Sequence, residues 1–411
     1  MREQAEVIVV GGGASGMFAA ILCARQGKKV ILFEQKNQLG KKLLATGNGK
    51  CNYTNMKMDA DCYRGEQPGF VSYALSQFGA ESAIDFFEAM GITPKERDGY
   101  VYPYSQQAAA VKNVFELELR QQQVDIRYEK VLKIEKSNGF CVKTEKGSYD
   151  AAKVILATGG KASPKLGSDG SGYQLAEQLG HRVIPPVPGL IGLVCQETFY
   201  QDIAGIRMDA QLVLYIDEQE KARERGELQL TTYGISGIPV FQISRYAARA
   251  LKQGKVPVVQ IDFMPDFSKE ALLEELKRRF SLSRRTAMEA LIGLVPQKLI
   301  GVFLAKGGIS TKKRADTVNE MQLKQLAAAM KKTKTVVKDT NGFEHAQVTV
   351  GGVDTEEIHA NTMESKKCKD LYLIGEIVDV DGICGGYNLQ WCWSSAYVAS
   401  CSICKQKLRQ E

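Results

Sequence analysis

Gly11-Gly12-Gly13-Ala14-Ser15-Gly16 places three glycines at the spacing GxGxxG, and the carboxylate of Glu34 follows further along the chain. Each residue type has a physical task. Gly11 permits a tight turn, Gly13 admits a pyrophosphate to the backbone, and Gly16 lets a helix pack on a strand. Free N–H groups at a helix start hold phosphate charge, and Glu34 would accept hydrogen bonds from ribose hydroxyls. This chemistry needs a strand before the glycines, a helix after them and a second strand ending at the acid. All three stand in register: an apolar strand over residues 6–10, a helix over 17–26 and a strand over 29–33. A Gly-rich turn before an ordinary helix has no such register, so the reading is a dinucleotide site.

Two later stretches extend it. Val154-Ile-Leu-Ala-Thr-Gly-Gly160 is a strand ending in small residues, which allow close approach to the first turn. Leu371-Tyr-Leu-Ile-Gly-Glu376 is another strand ending in Gly and a carboxylate. It leads through Asp379-Val-Asp-Gly382 to Gly385-Gly-Tyr-Asn-Leu-Gln390 and a helix, aiming a second set of backbone N–H groups at the cofactor. A plain NAD dehydrogenase needs only the first fingerprint; the three together argue for FAD. No second GxGxxG provides a domain for NAD(P)H, so a reduced nicotinamide would dock transiently. Glu34 also disfavours a 2′-phosphate at the primary site.

The remaining chemistry-bearing residues exclude more than they suggest. The three histidines, His181, His345 and His359, have no ligand spacing to one another, so no metal site is expected. Ten cysteines read as free thiols of a reducing compartment. Cys401-Ser-Ile-Cys404 is a C-x-x-C, but it lies in an expected helix over 394–408 and has no matching second pair. Two thiols one turn apart read as small buried hydrophobes, with a redox pair or a metal or cluster ligand as the alternatives. Residues 1–6 run straight into the first strand, which leaves no room for a signal peptide, and no stretch has eighteen apolar residues. The expected location is cytoplasmic, without membrane contact.

The elements that position these groups fall into blocks. The chain has 411 residues, of which 44% are hydrophobic and 25% charged, enough for two or three domains. A helix is expected over about 70–91 and another over 111–122, then strands at 125–128, 131–136 and 140–144 with Asn138-Gly139 as a hairpin turn. Pro185-Pro186-Val187-Pro188 marks a boundary. Strand-rich sequence runs from Leu190 to Phe263, broken by the charged segment 217–227. Helices follow at 268–280, 284–294 and 319–332, the last with a candidate capping box from Thr317 to Glu320, and strands return at 346–350 and 371–374. The net charge of +7 gathers in Lys221–Arg225, Arg284-Arg285, Lys312–Arg314 and Lys331–Lys334. Such runs read as solvated surface, so nucleic acid is a disfavoured partner and a small molecule the expected one.

Two long motifs carry a resemblance. Gly40-Lys-Lys-Leu-Leu-Ala-Thr-Gly-Asn-Gly-Lys-Cys-Asn-Tyr-Thr-Asn55 and Gly375-Glu…Asp379-Val-Asp-Gly382…Gly385-Gly-Tyr-Asn-Leu-Gln-Trp391 resemble the two signatures of the YhiN/BaiN-like flavoproteins, the NAD(P)/FAD-dependent, aminoacetone-oxidase-like oxidoreductases. Gly167-Ser-Asp-Gly-Ser-Gly-Tyr173 and Thr349-Val-Gly-Gly-Val353 extend the likeness over essentially the whole chain. The resemblance implies an α/β fold: a doubly wound, Rossmann-like FAD domain of the GR2 type from residues 1–189 and 346–411. Inserted in it would be a β-barrel-like substrate domain (190–265 and about 335–345) and a helical subdomain (266–334). It places Gly11, Gly13, Ala14, Ser15, Gly16 and Glu34 on the ADP half, with Gln35, Lys36 and Lys42 beside them and a backbone contact from Val131 to adenine. Thr46, Gly47, Lys50, Cys51 and Asn52 would line the approach to the flavin. Ala157, Thr158, Gly159, Gly160, Gly375, Glu376 and Asp381 would flank pyrophosphate and ribitol, while Gly386, Asn388 and Leu389 face the isoalloxazine. Two departures stand out. Lys50 replaces a common Arg, keeping charge but losing bidentate binding. Leu230-Thr-Thr-Tyr-Gly-Ile-Ser-Gly-Ile238 has Thr232 and Ile238 where many members have His and Pro, which removes a histidine acid–base role there.

Flavin supplies hydride chemistry, and the protein supplies orientation and choice of substrate. The substrate pocket is expected between the FAD domain and the barrel. Tyr387, next to the flavin-facing turn, is the candidate catalytic proton donor; Tyr233, Trp391 and Trp393 are further aromatic candidates, the tryptophans also reading as core anchors. Cys51 reads as a packed thiol. The expected function is an FAD-dependent oxidoreductase, an NAD(P)H-driven reductase of a small organic substrate. The resemblance points to a conjugated enone on a bile acid or steroid-like skeleton. The alternatives are an FAD-dependent amine oxidase acting on aminoacetone-like substrates, and an FAD-containing RNA- or partner-binding module. The oligomeric state is open.

Overall fold

A computed structural model describes residues 3–281 and 284–405. Residues 1–2 and 406–408, on which the expected first and last segments partly fall, lie outside the described residues. The chain divides into two compact units, one of residues 1–188 and 343–411 and one of 189–342.

The first unit is built on a seven-stranded sheet. Its strands are β1 (Glu3–Val10), β2 (Val30–Glu34), β3 (Asp125–Tyr128), β4 (Val131–Lys136), β5 (Phe140–Thr144), β6 (Ser148–Leu156) and, far along the chain, Leu371–Leu373. The order is β3-β2-β1-β6-β5-β4. β1 is parallel to both β2 and β6, and β2 to β3. One edge of β6 is divided: residues 148–151 pair antiparallel with β5, while residues 154–156 pair parallel with the strand Leu371–Leu373. Central strands such as Ile8, Val9, Ile31, Leu32 and Ile155 are fully buried, as parallel strands covered on both faces must be. Helix α1 (Ala14–Arg25) joins β1 to β2 in the βαβ unit the sequence requires, and α2 (Ala108–Gln121) precedes β3.

The expected single helix over 70–91 is instead two, Ser72–Gln77 and Ala80–Ala89. The break at Phe78-Gly79 has a structural use. The Phe78 carbonyl accepts from Gln390 Nε2 at 2.8 Å and Ser394 Oγ at 2.6 Å. The last helix starts before the expected residue 394, at Tyr387, and runs to Cys404.

The second unit is a closed six-stranded antiparallel barrel. Its strands are β7 (Leu193–Cys195), β8 (Arg207–Ile216), β9 (Gln219–Thr231), β10 (Gly234–Ser236), β11 (Val258–Asp262) and β12 (Thr333–Thr340), closed as β7-β10-β9-β8-β11-β12. The charged segment is not a break: it is β9, paired with β8 along its length. Sequence reasoning also missed a helix, α3 (Ile238–Lys252), whose buried Val240, Ile243, Ala247 and Ala250 form one face. It missed α5 (Gln297–Lys306) as well. α4 (Lys269–Phe280), capped by Ser268, and α6 (Glu320–Lys331) share a hydrophobic core with the barrel strands. The cap of α6 is Asn319 with Gln322 rather than Thr317 with Glu320. Thr317 lies in a 3-10 turn and donates to the Arg314 carbonyl. The expected helix over 284–294 is a single turn, Ala287–Ala290, closed by a Thr286–Glu289 capping box. In chain order the strand Leu371–Leu373 is β13 and the helix Tyr387–Cys404 is α7. Among the described residues no helix is long and apolar enough to cross a membrane.

Candidate active site

The site is assembled in the first unit from four turns that the sheet brings together. At the first turn, a Cβ on Gly11 would come within 2.4 Å of the Ala157 carbonyl oxygen, and one on Gly16 within 1.8 Å of the Gly11 oxygen. Gly13 is different: a Cβ there would meet nothing within 4 Å. Gly13 is also the N-cap of α1 and offers no side-chain cap of its own; of the first-turn N–H groups, that of Ser15 meets the Cys392 thiol. The open side of this glycine and the uncapped helix start fit the diphosphate of FAD.

Glu34 closes the other side of the turn. Its Oε2 accepts from the Gly12 N–H at 2.9 Å and its Oε1 from the Lys36 N–H at 2.7 Å. Burial raises its pKa, and these backbone donors oppose the shift. Gln35 donates to the Gly167 carbonyl at 2.6 Å, tying β2 to the loop before Ser171. Lys42 forms an ion pair with Glu376 at 2.6 Å, and the second oxygen of Glu376 accepts from the Thr349 N–H at 2.7 Å. The turn after β6 lies beside them. A Cβ on Gly160 would come within 2.3 Å of Thr349 Oγ1, and Thr158 packs against Gly172. Gly375 adopts φ +69°, and a Cβ on it would come within 2.6 Å of Ser15 Oγ. The C-terminal strand therefore ends against the start of α1.

The fourth turn joins the loop after β2 to the start of α7. Thr46 donates to the Leu43 carbonyl at 2.6 Å. Gly47, Asn48, Gly49 and Cys51 all adopt positive φ. Beyond them Asn55 donates to the Gly385 carbonyl at 2.9 Å, and Thr54 Oγ1 donates to Gln390 Oε1 at 2.6 Å. Gly386, with φ +94°, leaves no room for a Cβ against the Thr54 carbonyl. Asn52 Oδ1 faces this turn, buried and with no hydrogen-bond partner among the described residues. An orphaned acceptor beside this turn fits a cofactor edge carrying N–H groups. Asn388 clamps the turn by accepting from the Gly382 N–H at 2.8 Å and donating to its carbonyl at 2.9 Å. Leu389 is half-buried and Asp381 buried, the latter in a two-residue strand paired with Tyr63–Arg64.

Lys50 is exposed. Val131 opens β4, against which the helix Ser171–Gln178 packs. Cys51 is fully buried, and burial pushes its thiol up to about 12, so it remains protonated. Trp391 and Trp393 are buried and donate to the Gly375 carbonyl at 3.0 Å and the Tyr53 carbonyl at 2.8 Å. Tyr387 is buried, and its hydroxyl donates to the Lys57 carbonyl at 3.0 Å. Burial raises its pKa, so the phenol keeps its proton. Sequence reasoning passed over Gly12, Thr349 and Gln390 as site residues, although each stands inside a motif that it quoted.

Comparisons with known proteins identify the family. The family model described as "HI0933-like protein Rossmann domain" matches residues 5–402. The chain is 45% identical over 398 residues to a 3-dehydro-bile acid delta(4,6)-reductase of Clostridium scindens, covering 95% of this chain and 97% of that one. It is 31% identical over 415 residues to a ribosomal RNA dihydrouridine synthase of Haemophilus influenzae, covering 99% of this chain and 100% of that one. A ribosomal RNA dihydrouridine synthase of Escherichia coli is 30% identical, with 97% of this chain and 98% of that one covered. The chain belongs to the HI0933-like flavoprotein family and is an FAD-dependent oxidoreductase.

Proposed function

We propose that this protein reduces a carbon–carbon double bond conjugated to a carbonyl, on a small bile acid or steroid-like substrate, with NAD(P)H as electron donor. The observation that carries this reading is the 45% identity, across nearly the whole of both chains, to the 3-dehydro-bile acid delta(4,6)-reductase. Dihydrouridine is uridine with two hydrogens added across a ring double bond conjugated to a carbonyl, so the more distant relatives are named for the same kind of saturation. RNA as the substrate is the second reading, favoured by the 31% identity to an rRNA-acting relative. The charge pattern of the barrel unit speaks against it. Arg223 pairs with Glu220, Arg225 with Asp209 and Asp266, Arg278 and Arg279 with Glu275, and Arg314 with Asp316. Cations already paired with carboxylates release fewer counterions on meeting a phosphate backbone.

Bound FAD supplies the hydride chemistry. The start of α1 takes the diphosphate and Glu34 the adenosine ribose. The Lys42–Glu376 pair and the Asn388 clamp hold the neighbouring turns still, which preserves the geometry that transfer requires. Gly386, Asn388 and Leu389 present backbone groups to the ring system. Tyr387 is the proposed proton donor to the reduced substrate, and to act it must release the Lys57 carbonyl.

Anaerobic stopped-flow absorbance of the yellow protein with NADH or NADPH tests the reading, followed by a 3-keto-Δ4,6 steroid as oxidant. Rapid bleaching and then recovery of the flavin band on steroid addition is the expected result. No bleaching with either nicotinamide would sink the donor assignment. Recovery with uridine-containing rRNA fragments but not with steroid would move the substrate to RNA. Tyr387→Phe should lower the reoxidation step by about 10²-fold or more while leaving bleaching unchanged; an unchanged reoxidation rate removes Tyr387 from the proton path.

A further inference from the structure

The C-x-x-C of the last helix has a partner outside itself. α1 and α7 pack side by side, and Ser400 Oγ lies 3.5 Å from the Ala19 carbonyl. One helical turn further along each helix stand Cys23 and Cys404, so helices running in the same direction bring these two side chains face to face. Their thiols lie within hydrogen-bonding reach of one another. Cys401, the other half of the motif, is buried and hydrogen-bonds with Tyr397 instead.

We propose that Cys404 and Cys23 are a peroxide-sensitive modification site, forming a reversible disulfide that ties the last helix to the first. The two members differ in the way that such a reaction needs. Cys23 is fully buried, whereas Cys404 is half-buried at the end of α7. The hydrogen bond from Cys23 and the nearby Lys28 ammonium hold the Cys404 thiol below its usual range; the same contact and burial hold Cys23 above it. Partial burial of Cys404 and the Glu6 carboxylate oppose this, and Lys153 assists it. Cys404 is therefore the attacking sulfur and Cys23 the resolving one. The Cys404 thiolate attacks the O–O bond of hydrogen peroxide, forming an S–O bond and releasing hydroxide. The Cys23 sulfur then attacks the sulfenic sulfur, forming the S–S bond and releasing water. The two thiols lose two electrons and two protons in all, and the peroxide is reduced to two molecules of water.

The test uses the full-length FAD-loaded protein treated with hydrogen peroxide and analysed by intact mass and non-reducing peptide mapping. The expected result is a loss of two hydrogen masses, reversed by dithiothreitol, with a cross-linked peptide pair containing Cys23 and Cys404. Cys401→Ser should leave that cross-link intact. Cys23→Ser should instead accumulate added oxygen on Cys404, since no resolving thiol remains. A Cys401–Cys404 link in the wild type, or no change in mass with peroxide, overturns the proposal without recourse to any variant.

Discussion

At the scale of single residues, the glycines of the first turn separate cofactor binding from folding. Gly16 is closed in by the Gly11 carbonyl, so Gly16→Ala must displace backbone and should cost about 1–3 kcal/mol of stability along with FAD affinity. Gly13 has open space around it and φ −79°, which any residue adopts. Gly13→Ala should change apo-protein stability by no more than about 1 kcal/mol. It should nevertheless weaken FAD binding by about tenfold or more, because the new methyl occupies the diphosphate side. Thermal melts of apo-protein and flavin fluorescence titrations check both. Equal loss of apo stability in the two variants would mean that Gly13 serves packing alone.

At the scale of elements, His181 pins the region around the strand Val183–Gly189. Its Nε2 lies 2.8 Å from Ser365 Oγ, which already accepts from the Lys367 and Cys368 N–H groups, so the serine proton points to the imidazole. Nδ1 then donates to Glu357, 3.1 Å away. Burial lowers the pKa of His181 below the ordinary 6.5, against the pull of Glu357. The unfolded chain binds this proton first as pH falls. The stability is therefore present above 6.5 and is lost as pH drops through 6.5 toward the lower folded value. His181→Gln should lie below the wild type in melting temperature at about pH 8, and the gap should narrow by about pH 5.5. Melting curves that stay parallel across that range would exclude a titrating imidazole.

At the scale of the whole molecule, the barrel unit carries its own core. Its ends lie together, because the Asn341 N–H donates to the Gly192 carbonyl at 3.0 Å. Residues 189–342 expressed alone should therefore melt cooperatively and remain colourless, since every proposed FAD contact lies outside them. Circular dichroism and visible absorbance check this. A fragment without a cooperative transition would show that the barrel depends on the other unit for its stability.

How far each feature was legible follows from how local its signal is. The Rossmann turn is contiguous: strand, glycines, helix and acid stand within one short stretch. β9 was hidden as a strand because the half-buried face of its first half carries Ala222, Glu224 and Gly226 opposite exposed charges, which leaves no alternation of apolar residues. α3 was hidden behind Pro239, a residue that reads as a breaker but is favoured in the first turn of a helix. The break at Phe78 depends on Gln390 and Ser394, residues that only the tertiary fold brings near. By itself the sequence determined the βαβ cofactor turn, the family and the class of chemistry, since these rest on short-range spacing and on long motifs. The tertiary structure alone decided which groups meet. It set Lys42 against Glu376, 334 positions away, Tyr387 against the Lys57 carbonyl, and Cys404 against Cys23. Pairing across such separations is set by the stacking of strands and helices, which leaves no periodic trace in the chain.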